Sequence, residues 1–108
     1  MNWTLKEAWQ LFVKLQPEAR RCGYLLSIFG SVIERGEGND LDLVAVPISC
    51  EALAGQELAR KLACVWAHDV IAHMHTITQS PRVLVPRATG WQIADPANRR
   101  VDLLVIGR

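Results

Sequence analysis

An α/β (α+β) domain, with a small mixed β-sheet and helices packed mainly on one face, is what this sequence predicts. Two stretches place apolar residues at helical spacing. Several short apolar runs of strand length are separated by Gly, Pro, Asn and Asp, and carboxylates are set into two of those runs. The 108 residues match one ordinary domain, so residues 1–108 are expected to share a single core with no room for a second domain.

Thr4, with Glu7 three residues later, has the pattern of a capping box, and Leu5, Ala8, Trp9, Phe12 and Leu15 follow at helical spacing. The spacing predicts an amphipathic first helix that Pro17 breaks or restarts and Gly23 ends. Most of its apolar face belongs in the core. Leu11 and Val13 widen that face, and with Trp3 they are the expected exposed remainder, a surface for a homodimer or another partner. Tyr24 to Phe29 reads as a strand, residues 32–35 as a short helix, and Gly36, Glu37, Gly38 and Asn39 as turn chemistry before a second strand beginning at Asp40.

From 51 to about 67, Ala and Leu dominate, and Leu58, Leu62, Val65 and Trp66 form a helical stripe with Ser49 as its N-cap. Residues 70–78 suit either a continued helix or a strand rich in β-branched side chains, and a helix reaching about His75 is the favoured expectation. Residues 82–85 and 91–94 read as strands separated by Pro86 and Gly90. Residues 95–98 then turn the chain into a last strand that carries Asp102.

The chemistry is concentrated in two of these runs. Asp40 and Asp42 alternate with Leu41 and Leu43, so in an extended strand both acids share one face while the leucines take the buried one. Asp102, between Val101 and Leu103, is a third acid on a core-bound strand. Ahead of them, Gly30 permits a tight backbone turn and Ser31 offers a hydroxyl and an amide at the start of a helix, which together make a phosphate seat. Hard carboxylate oxygens suit Mg2+ or Mn2+, and a metal pair about 3.5–4 Å apart can clamp both oxygens of a phosphoryl transfer. Gly-Ser alone occurs in many loops, and Asp-x-Asp alone is commonly a turn or a cap. The ordered combination inside apolar strands is what points to a site.

With Phe29-Gly30-Ser31, Asp40-x-Asp42 and Arg100-Val101-Asp102-Leu103, the chain resembles the DNA polymerase beta-type nucleotidyltransferase superfamily, most of all its minimal nucleotidyltransferase members. The resemblance covers about residues 24–46 and 99–106. The 32–39 connection is shorter than is usual in that superfamily, and 91–95 adds a strand before the third acid. The resemblance implies a single minimal nucleotidyltransferase domain with Asp40, Asp42 and Asp102 as catalytic metal ligands and Gly30 and Ser31 at the nucleotide phosphates. It also implies a nucleoside triphosphate donor with Mg2+ or Mn2+ as cofactor. Acceptors in that superfamily include proteins, small molecules and nucleic acids, and some minimal members modify a helical toxin partner. A noncatalytic nucleotide-binding or antitoxin-like module is the rival expectation.

Other candidates weigh less. Arg35, Arg87, Arg99 and Arg100 are guanidinium groups suited to triphosphate. Arg100 lies nearest Asp102, but strand alternation is expected to send it to the opposite face, so it is left out of the catalytic set. Trp91 reads as core or interface. His68, His73 and His75 lack the i, i+4 spacing of a helical metal pair and are read as solvent-facing or helix-end residues. A formal charge of +1 gives no basic field for nucleic acid, which is therefore unsupported as a partner. Cys22, Cys50 and Cys64 are odd in number and read as reduced thiols. With no signal core or membrane-length apolar run, the expectation is a cytoplasmic protein without a membrane partner.

Overall fold

The computed structural model describes residues 2–66, 74–77, 88–94 and 99–107. A two-residue strand β1 (Trp3–Thr4) leads into helix α1 (Leu5–Arg21). The capping box forms as expected: the Glu7 amide donates to Thr4 Oγ1 at 3.2 Å, and the Thr4 amide donates to Glu7 Oε1 at 3.3 Å. Pro17 does not break α1. It lies on the solvent side one turn after exposed Val13, so the carbonyl that its missing N–H would have satisfied faces water.

The buried stripe of α1 is Ala8, Leu11, Leu15 and Ala19, while Leu5 and Trp9 are exposed. The stripe is rotated from the expected one: it runs through Leu11 and Ala19 and leaves Leu5 and Trp9 in water. Trp3 is only 2% exposed and Leu11 9%, which places both in the core; of the expected partner surface only Val13, at 52%, is exposed.

Strand β2 (Tyr24–Phe29) follows Gly23, whose φ of +90° and contact with the Ala52 backbone leave no space for a side chain. Next come helix α2 (Ser31–Arg35), strand β3 (Glu37–Gly38), which pairs antiparallel with β1, and strand β4 (Asp40–Pro47). Helix α3 (Gly55–Trp66) begins later than expected. Ser49 Oγ accepts from the Glu51 amide at 3.1 Å and so caps a turn; residues 52–54 tie back to β2 through Tyr24 Oη, which donates to Leu53 O at 2.5 Å.

The last strands are β5 (Met74–Ile77), β6 (Ala88–Ala94) and β7 (Arg100–Ile106). A helix continuing to His75 is therefore overturned: Met74 to Ile77 pair antiparallel with β6, and sheet pairing outweighs the helical continuation that the preceding Ala-rich stretch suggested. Gly90 lies inside β6, opposite Leu104, and does not separate two strands. The expected strand at 82–85, the turn at 95–98, and Arg87, His68 and His73 fall outside the described residues.

The five-stranded sheet has the order β2-β4-β7-β6-β5, with β4 and β7 parallel and the other neighbours antiparallel, so it is the mixed sheet expected. Its buried face carries Tyr24, Leu26, Leu41, Leu43, Ala45, Val101, Leu103 and Val105, and the core also takes in Ala8, Leu15, Leu58 and Leu62 from α1 and α3. Period-two alternation turns the intervening residues of β4 and β7 to the other face. The acids are there.

Candidate functional site

Parallel pairing of β4 with β7 sets Asp40 opposite Arg100 and Asp42 opposite Asp102. The same cross-sheet row continues from Phe29 through Asp42 and Asp102 to Gln92. Asp42 and Asp102 thus stand side by side on adjacent strands, at the end of the sheet where Gly30 and α2 begin. The three predicted acids share one face, as the alternation argument required.

Gly30 completes the floor. Its φ of +85° and ψ of −157° belong to a region that only glycine occupies readily, and a Cβ there would collide with Asp42 Oδ2. Ser31 opens α2, and its Oγ sits against Gly38, where a Cβ would strike the hydroxyl. A cleft of about 400 Å³ lies between these elements, lined among others by Ser31, Arg35, Gly38, Asn39, Asp40 and Asp42. That is within the size range of small-molecule sites. Arg35 is therefore one of the residues on the cleft wall. Arg99 is not: its guanidinium stacks 3.8 Å above the Trp3 ring and pairs with Glu7 at 2.6 Å.

Burial pushes the Asp42 carboxyl up to about 6, helped by the Asp102 and Asp40 carboxylates and opposed by the Arg100 guanidinium. Asp102 is also raised, first by burial and then by Asp40, with Arg100 and a Gln92 hydrogen bond opposing. Asp102 Oδ1 is buried and makes no hydrogen bond. An orphaned carboxylate oxygen beside a second acid that also resists ionisation is the electrostatic condition a divalent cation relieves, and all three groups offer hard oxygen donors. The residues fit such an ion. Among the described residues, however, no group of three or more His, Cys, Asp or Glu is gathered closely enough to ligate one as it stands.

Arg100 lies on the acid face, against the expectation that strand alternation would turn it to the opposite one. Its Nε donates to Asp40 Oδ1 at 3.1 Å and its Nη2 to Asp40 Oδ2 at 3.3 Å, and Nε lies 4.0 Å from Asp102 Oδ1. Arg100 is two residues before Asp102, so period two puts it on the same face; only Val101, the immediate neighbour, is turned away. Gln92 was missed too, because its place opposite Asp102 depends on the β6–β7 register, which local sequence does not encode.

A solved structure of a cytoplasmic RNA terminal U-transferase is similar to 96% of this chain, with a TM-score of 0.61 and 16% sequence identity. The chain spans 29% of that protein's length. At this identity the likeness concerns architecture: the small mixed sheet and its helices form a nucleotidyltransferase fold. No family model matches the chain, and no curated protein matches it in sequence.

Proposed function

We propose that this protein is a metal-dependent nucleotidyltransferase that moves a nucleoside monophosphate from a nucleoside triphosphate to an acceptor and releases pyrophosphate. The observation that best supports this reading is the register of β4 and β7, which sets Asp42 beside Asp102 with the bare backbone of Gly30 packed against Asp42. Asp40 and Asp42 are the residues that would hold Mg2+ or Mn2+, and Asp102 would complete the acceptor side. The bound ions supply charge neutralisation on the phosphates and a more acidic attacking hydroxyl.

The chain's own contribution is positioning. Gly30 and Ser31 would hold the outer phosphates, with Arg35 on the wall of the cleft that Ser31 lines. Asp102, on the acceptor side, would take the proton of the incoming hydroxyl. The U-transferase of similar fold acts on RNA. Here a formal charge of +1 offers no basic field, so RNA, protein and small-molecule acceptors are tested side by side.

The test supplies each α-labelled nucleoside triphosphate with Mg2+ or Mn2+ to RNA oligonucleotides, nucleosides and a protein extract. Label should pass to one acceptor class, and Asp42→Asn should lower the rate by about a hundredfold or more, through loss of a charged hard ligand at nearly constant volume. Equal rates in wild type and Asp42→Asn would remove the proposal. The two-point Arg100–Asp40 pair favours a second reading, a noncatalytic nucleotide-binding or antitoxin-like module whose acids are held by an internal cation. Metal-dependent nucleotide binding without transfer to any acceptor is the outcome that selects it.

A further inference from the structure

The Arg100 guanidinium does for the acid face what a bound cation would do. Its two N–H groups satisfy both oxygens of Asp40 at once, and its Nε also lies 4.0 Å from Asp102 Oδ1. The Arg100 side chain is 52% exposed, and exposed ion pairs of this kind shift an equilibrium by about fivefold at most, so the contact is readily exchanged. A divalent ion held by several carboxylates has the stronger claim on Asp40. Arginine's planar fork matches phosphate as well as carboxylate, so a guanidinium displaced from Asp40 keeps a ligand to go to if a triphosphate enters with the metal.

We propose, resting on the nucleotidyltransferase reading, that Arg100 is a resident counter-cation of the site: it covers Asp40 until a divalent ion arrives and then transfers to the phosphates of the nucleotide. This accounts for two observations together. A positive charge lies among three acids that share one face, and among the described residues Asp40 pairs with that guanidinium and is not gathered with the other acids into a ligand set. Arg100 is on this account a positioning residue for the metal and a binding residue for the nucleotide, with opposite effects on the two affinities.

Opposite effects are what the experiment reads. Mn2+ binding is titrated calorimetrically at low salt, without nucleotide, for wild type, Arg100→Gln, Arg100→Lys and Asp40→Asn, with circular dichroism confirming each fold. Arg100→Gln should bind Mn2+ about two- to fivefold tighter, since a competing charge is gone, and Arg100→Lys should fall between it and wild type. With saturating Mn2+, affinity for a nonhydrolysable nucleoside triphosphate should fall about tenfold in Arg100→Gln. Mn2+ affinity that is unchanged or weaker in both Arg100 variants would overturn the proposal, and so would unchanged triphosphate affinity. If Arg100→Gln does not fold, Arg100→Lys alone decides, because it keeps the charge and loses the two-point pairing. Asp40→Asn separates this idea from the reading beneath it: wild-type Mn2+ affinity in that variant would dismiss the metal site itself, whereas lost affinity there combined with unaltered Arg100 variants would dismiss only the counter-cation.

Discussion

Asp42 carries an energetic conflict that the rest of its strand does not share. Leu41 and Leu43 gain by burial, but the carboxyl between them is partly desolvated beside two other acids, and its pKa rises from 3.8 to about 6. A carboxyl that holds its proton more tightly in the folded chain than in the unfolded one makes the folded state bind more protons between 3.8 and about 6. The contribution of Asp42 to stability is therefore greatest below that window and declines as pH rises through it. Discounted for the solvent that screens a partly exposed group, the decline is about 1–2 kcal/mol. Urea denaturation of the metal-free protein from about pH 4 to about pH 7.5 should show it, and Asp42→Asn should flatten that part of the curve. An identical slope in the variant would assign the protons elsewhere. At this scale the three acids and Gly30 were legible, because alternation and a glycine-only turn are local properties of the chain. The side of the sheet that Arg100 takes was equally legible, since period two puts it on the face of Asp102. Gln92 was not legible, since its place depends on which strands pair.

Strand β2 ends the sheet, and an edge strand offers unpaired amides and carbonyls to any passing chain. Gln16 of α1 closes part of that edge. Its Nε2 donates to Leu26 O at 3.0 Å, and its Oε1 accepts from the Leu26 amide at 2.9 Å, so one side-chain amide takes the place of a neighbouring strand's peptide. Gln16→Ala should lower stability by about 1–2 kcal/mol and leave the Leu26 backbone open to pairing between molecules. Chemical denaturation gives the first effect and light scattering over a concentration series the second. A variant as stable as wild type and no more associated would show that the edge needs no cover. Elements of strong period, such as α1 and β4, were readable from sequence. The strand at Met74–Ile77 was not, because β-branched residues after an Ala-rich helix satisfy either state until β6 supplies a partner.

At the scale of the whole molecule, Trp3 joins the start of the chain to its last strand. Its indole Nε1 donates to Arg100 O at 3.0 Å, a contact spanning 97 positions, while Arg99 lies over the ring and is itself held by Glu7. The sequence assigned Trp3 to a partner surface because nothing near it predicts a hydrophobic neighbour; its burial depends on β7, which no local pattern connects to residue 3. The small β1–β3 pairing fixes the segment that carries Trp3 beside the turn leading into β4, so the clip lies close to the acid face it helps to frame. Trp3→Ala should cost about 3–5 kcal/mol, as removal of a large buried side chain does, and Trp3→Phe about 1–2 kcal/mol, because it keeps most of the ring and loses the hydrogen bond. Both follow from urea midpoints. The order matters more than the sizes: the hydrogen bond holds the backbone of Arg100, so Trp3→Phe should loosen Arg100 beyond what its modest loss of stability implies. Hydrogen exchange at the β7 amides of Trp3→Phe should therefore be fastest at the strand's start and near normal by Val105. Uniform acceleration along β7 would mean that Trp3 only fills space, and that the tie between the chain's beginning and its site is packing alone.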